Sequence, residues 1–180
     1  MFDITPVHWH LLVNHLPVEG SMVALLLLIY AFIRNNAELK RAALIACVVT
    51  GAAAFAANFT GDDAADVARA IPGVERSDIR AHNESADWAC DAAYLLAGVA
   101  AVGLVLAWRK KSSPDATSDA LAYARHHKEP PPFMMIATLI VALLTVTIMA
   151  RTSYLGGSIR HPEIEAGFKP PPTVDTSKDD

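Results

Sequence analysis

The sequence predicts an all-α integral membrane protein, an antiparallel bundle of four transmembrane helices. Three observations predict it. Of 180 residues, 53% are hydrophobic and only 19% are charged, below the roughly 25% charged residues of soluble domains. The apolar residues come in four blocks rather than in amphipathic stripes, each near the about 20 residues that cross a roughly 30 Å hydrocarbon layer. Lys and Arg are dense in alternate loops only, as the positive-inside rule requires of a multi-pass chain. Mean hydropathy is +0.29, in keeping with this class. The net charge of −4 gives no basis for a nucleic-acid partner.

The first span covers about 11–33, with Pro17 suited to the first turn of a helix and Asn14 or His15 near its cap. The second, about 42–59, is rich in Ala and contains Gly51; the third, about 88–108, contains Gly98 and Gly103. Such small residues let membrane helices approach closely. The fourth, about 133–150, is opened by Pro130, Pro131 and Pro132. Together they make one transmembrane domain, 1–166, followed by an extended or disordered tail, 167–180, rich in Pro and polar residues. Cys47 and Cys90 lie inside apolar blocks and read as small buried hydrophobes, not as a disulfide. The first residues lack a basic region before the apolar core, so no cleavable leader is expected.

Orientation follows from the short loops. Arg34, Lys40 and Arg41 follow the first span, and Arg109, Lys110, Lys111, Arg125 and Lys128 follow the third. These two loops are expected in the cytoplasm. The N-terminal head has no Lys or Arg, and in the loop 60–87 Arg69, Arg76 and Arg80 are outnumbered by Asp62, Asp63, Asp66, Glu75, Asp78, Glu84 and Asp87. The expected setting is the bacterial inner membrane, in contact with the lipid bilayer, with both termini periplasmic. A short helix is expected at 115–127 on the cytoplasmic side, where His126 and His127 read as solvated.

This topology collects the chemistry at one end. His8, His10, His15 and Glu19 precede or open the first span; Asn58 and Thr60 close the second; His82, Glu84, Asp87 and Asp91 open the third; Arg151, Arg160, His161 and Glu163 follow the fourth. Ionisable groups at the edge of hydrocarbon cost free energy unless paired or bound to something. His15 and Glu19 are four residues apart and share a helical face, while Glu84, Asp87 and Asp91 form an acidic stripe. Gly156 and Gly157 permit a tight turn and close approach of the backbone to a ligand.

Two kinds of site fit such donors. One is haem b, held by histidines from two helices with arginines on its propionates. His15 and His82 are the expected axial pair, with His8, His10 and His161 as substitutes and Arg151 and Arg160 as propionate partners; Glu19 and Asp91 would carry protons or orient a histidine. The other is an Fe, Cu or Zn ion bound by His15, Glu19, His82 and His161. No Glu-x-x-His pair, CxxCH, P-loop, GxGxxG or GxSxG motif is present, which removes the familiar di-iron, c-type haem, nucleotide and serine-hydrolase patterns.

At Asn14-His15-Leu16-Pro17 and Gly156-Gly157-Ser158-Ile159-Arg160-His161-Pro162-Glu163 the chain resembles an uncharacterised family of bacterial four-span membrane proteins. Thr50-Gly51, Thr60-Gly61 and His82 extend the resemblance, which covers the spans and their outer ends but not the cytoplasmic loop or the tail. Related membrane domains occur joined to Rieske-type iron–sulfur domains, so the resemblance implies a redox setting, although this chain has no iron–sulfur ligand set of its own. The resulting expectation is a membrane-embedded electron-transfer protein, or a subunit of a redox complex with a redox partner protein. A non-haem metal protein and a cofactor-free accessory subunit are the alternatives, and whether the chain is an enzyme is left open.

Overall fold

The computed structural model describes residues 5–109 and 129–161. The expected helix at 115–127, His126, His127, Glu163 and the tail 167–180 lie outside the described residues. The described chain forms five helices: α1 (Pro6–Val13), α2 (His15–Arg34), α3 (Ala37–Ala68), α4 (Arg76–Arg109) and α5 (Pro132–Ser158). Four stretches are long and apolar enough to cross a membrane, α1 and α2 together counting as one. This is a multi-pass membrane protein built as an all-α four-helix bundle.

Neighbours follow chain order: α2 packs on α3, α3 on α4, α4 on α5, and α5 closes the ring on α2. The buried positions explain this arrangement. In α3 they fall at Lys40, Ala43, Cys47, Thr50, Ala54 and Ala57; in α5 at Met135, Thr138, Ala142, Thr145, Met149 and Thr152. Both series step by alternating threes and fours, the heptad spacing of left-handed bundles with shallow crossing angles. Nearly all these side chains are small, so the helices come close. A Cβ added at Gly51 would lie 2.5 Å from the Cβ of Ala97 and 3.1 Å from the Ala93 carbonyl oxygen. Larger side chains, Leu28, Leu44, Leu96 and Met135, fill the half nearer the basic end.

Threonine hydroxyls add interhelical register marks. The Thr145 hydroxyl lies 3.2 Å from the Ala92 carbonyl and 2.9 Å from the Val141 carbonyl of its own helix, and one heptad on the Thr152 hydroxyl lies 3.0 Å from both the Ser85 and Ile148 carbonyls. These shared contacts set the register of α5 against α4. Membrane helices rely on such contacts because lipid supplies no hydrophobic drive for helix association.

Three helices run longer than their apolar blocks. α3 continues to Ala68, α4 begins at Arg76, and α5 continues to Ser158. Between Thr60 and Ala68 nothing but Gly61 opposes a helix, and the chain turns only at Pro72-Gly73, where Gly73 adopts φ +83°. Trp88 and Trp108 on α4 are 68% and 76% exposed. Their twenty-residue separation spans about 30 Å at 1.5 Å per residue, matching the hydrocarbon thickness, and tryptophan favours its two boundaries. His82 lies about 9 Å beyond Trp88 along the α4 axis. At the opposite, basic end Lys40, only 9% exposed, donates to Asn35 Oδ1 and Glu129 Oε1 at 2.6 Å each, tying the α2–α3 turn to the chain entering α5.

Candidate functional site

The site is built at the end of the bundle where α1 lies against α3, α3 packs on α4, and α4 on α5. Thr5 caps α1 by accepting from the His8 amide at 3.4 Å, and Pro6 occupies the first turn, where a missing N–H costs nothing. Asn14 keeps a right-handed helical conformation (φ −67°, ψ −25°), so α1 leads almost directly into α2. α1 lies against α3. This places the His10 ring on Thr60, with Nδ1 3.2 Å from Oγ1.

The Thr60 hydroxyl has one hydrogen, and its oxygen also lies 3.2 Å from the Ala56 carbonyl and 3.1 Å from the Ala57 carbonyl, so which partner donates at the ring contact follows from the His10 tautomer. His82 has a partner that fixes its tautomer. Its Nδ1 lies 3.1 Å from the main-chain oxygen of Thr152, which has no hydrogen to give. Its Nε2 therefore carries the lone pair. The two imidazoles stand on α1 and α4, each of which packs against α3.

Glycine makes room for both rings. A Cβ at Gly156 would lie 2.9 Å from His82 Cε1 and 3.1 Å from its Nδ1, and one at Gly61 would lie 3.6 Å from His10 Cε1. The Gly156-Gly157 pair, expected to allow a tight turn, stays inside α5 and admits a histidine instead. Ser85, fully buried one turn along α4 from His82, pairs with Thr152 Oγ1 at 2.8 Å. Arg151 extends over this pair and donates to Ser85 Oγ at 3.3 Å, which puts a guanidinium about one turn from His82.

The other expected ligands are placed elsewhere. His8 is exposed, and its Nδ1 meets Thr5 Oγ1 at 3.0 Å within the cap. His15 opens α2 and is exposed, as is Glu19. The helical repeat explains this: at 100° per residue His15 lies about 140° around the axis from His10, and Glu19 about 180°. When His10 faces α3, those two face outward. Asp91 and Glu84 are exposed on α4, Glu84 accepting from Arg80 Nε at 2.8 Å. Arg160 and His161 follow α5 at the outer surface, Arg160 lining a shallow cavity with Glu75 and Asp78. Among the described residues no three His, Cys, Asp or Glu side chains gather as a metal-ion set, so His15, Glu19, His82 and His161 are not brought together as one.

Ser85, Thr152 and Gly61 were not singled out for this role by their chemistry in the sequence. The signal that finds Thr152 is the seven-residue spacing of Thr138, Thr145 and Thr152, which assigns it to the α5 seam and so to the helix neighbour that carries His82. Compared with protein-family models, with curated proteins and with solved structures, the chain has no match.

Proposed function

We propose that this chain is a b-type haem-binding electron-transfer protein or redox-complex subunit of the bacterial inner membrane, with both termini and the haem site on the periplasmic side. One observation carries the reading. His10 and His82 stand at the same end of the bundle on different helices, each with its Nδ1 against an oxygen, Thr60 Oγ1 at 3.2 Å and the Thr152 main-chain oxygen at 3.1 Å. Two imidazoles with no third ligand gathered among the described residues are a poor set for a bare metal ion, which takes three or four protein donors. They suit a haem, whose porphyrin supplies four equatorial nitrogens and leaves two axial positions for the protein.

The residues fit the group in three further respects. Oxygen partners on Nδ1 orient a ligating ring and raise its basicity. Arg151 offers a cation beside His82 for a carboxylate. Gly156 and Gly61 keep the flanks of both rings free of side chains. The haem, when bound there, would supply one-electron transfer. The chain's own part is to fix both ring planes, to present Nε2 of each, and to keep α4 and α5 in register through Ser85 and Thr152. The basic loops at the opposite end, Arg34, Lys40, Arg41 and Arg109, support the periplasmic placement.

The test is haem uptake. The full chain, purified in mild detergent from haem-supplied cells, is expected to show a Soret band with sharp reduced α and β bands at about one haem per chain. A colourless protein that also fails to take up added haemin would end this reading.

A further inference from the structure

We infer that copies of this chain assemble head to tail in the membrane, the outward face of α4 around Asp91 docking on the outward face of α2 around His15 of the next copy. This assembly does not depend on haem. Asp91 is exposed on α4, three residues inward of Trp88, or about 4.5 Å along the axis. It stands beside Ala89, Cys90 and Ala93, which pack with Ala54 and Met149 in the outer apolar cluster. Among the described residues it has no ion-pair partner. A carboxylate facing hydrocarbon costs free energy until something meets it. Glu84 and Asp87 differ, because both lie outward of Trp88.

Two close contacts put α2 and α4 on one scale of depth. Gly20 lies beside Thr50, and Gly51 lies beside Ala93 and Ala97. Because α2 and α4 both run antiparallel to α3, Gly20 is level with Leu96. Counting outward along both helices sets His15 level with Asp91, to within about 3 Å. His15 is exposed and has no ion-pair partner among the described residues. Its imidazole donates a hydrogen bond to a carboxylate or, protonated, balances the charge. The same count sets Glu19 within a residue of Tyr94, an exposed phenol that also engages Asn58 and Cys90. Farther inward it sets Met22 opposite Gly98 and Leu26 opposite Val102. Met22, Leu26 and Val102 are exposed, and a Cβ added at Gly98 would meet nothing within 4 Å. Gly98 therefore leaves a hollow one heptad inward of Asp91, where α2 of a neighbour presents a methionine.

The two faces cannot meet within one copy, since α2 and α4 occupy opposite corners of the ring. Copies inserted in the same direction bring them to the same depth. The contact joins unlike faces, so every added copy leaves one of each open for the next.

Disulfide trapping in native membranes tests this. Leu26→Cys and Val102→Cys are introduced into the full chain with Cys47→Ala and Cys90→Ala. On oxidation the chain carrying both new cysteines is expected to give a ladder of dimers, trimers and larger species, while either alone stays monomeric. Absence of the ladder overturns the inference, and equal trapping with a single new cysteine overturns the head-to-tail arrangement. In the trapping background Asp91→Leu and His15→Leu should each lower the trapped fraction about threefold to thirtyfold, the range of one polar contact between membrane helices. Asp91→His combined with His15→Asp should restore it. Unchanged trapping in Asp91→Leu overturns the role given to the carboxylate. The wild-type chain, extracted with its native lipid in polymer-bounded discs, decides without any variant. More than one copy per disc is expected. A uniform single copy, alone or beside a different membrane protein, overturns the inference.

Discussion

Gly156→Ala probes the site through a single methyl group. The added Cβ would sit 2.9 Å from His82 Cε1, a separation non-bonded carbons do not tolerate. The neighbour that yields is the tip of a side chain, so the ring turns and the helix stays. The cost is the 3.1 Å bond from His82 Nδ1 to the Thr152 oxygen, worth about 1 kcal/mol net. Alanine in place of a helical glycine repays up to about 1 kcal/mol. The two nearly cancel, so Gly156→Ala is expected to leave thermal stability in detergent within about 1 kcal/mol of wild type. The cycle with His82→Ala separates the terms. With the ring gone, the alanine gains its helix propensity unopposed and should stabilise by about 0.5–1 kcal/mol. The coupling between the two substitutions is therefore expected near 1 kcal/mol. Haem affinity of the single Gly156→Ala variant should fall about tenfold or more, since 1.4 kcal/mol of lost ligand geometry is a factor of ten. Strict additivity of the two substitutions, together with unchanged haem affinity, would refute the steric account.

Other expectations follow from the bundle. Gly51→Leu drives a side chain into the Ala97 and Ala93 backbone face and should cost about 1–3 kcal/mol or more by overpacking, read as a lowered melting temperature in detergent; a wild-type melt would contradict the close α3–α4 contact. Lys40→Met removes the cation shared by Asn35 and Glu129. It should destabilise by about 1 kcal/mol, because Glu129 is 44% exposed and screened by solvent. That loss should shrink in high salt, and equal losses at low and high salt would count against an electrostatic clasp. A cysteine at Asp63 should react with a membrane-impermeant maleimide in spheroplasts, whereas one at Asn36 should react only after lysis; the reverse pattern would invert the proposed orientation.

The fold was largely legible in the sequence because hydrocarbon thickness imposes a length that four apolar blocks display directly. The lengths of α3, α4 and α5 beyond those blocks were not, since the polar stretches after Thr60 and before Trp88 give the same reading as loops until Pro72-Gly73 is recognised as the one strong break. The site was half legible. His82 and Arg151 followed from topology, and His10 stood among the substitutes for the expected partner. Choosing His10 over His15 needs the phase of the first helix, which depends on whether Asn14 breaks it. Pro17 suggested a helix start near His15. The structure keeps Asn14 helical, which fixes His10 toward α3 and turns His15 and Glu19 away. The glycine pair was legible as a place of close approach, but what approaches is a histidine ring.

Low-spin ferric EPR and the Soret band, measured side by side on wild type, His10→Ala, His15→Ala and His82→Ala, test the account most directly. It predicts that His10→Ala and His82→Ala lose the six-coordinate signal while His15→Ala keeps it. Retention of the signal in His10→Ala, with loss in His15→Ala, would contradict the pairing on which the account rests.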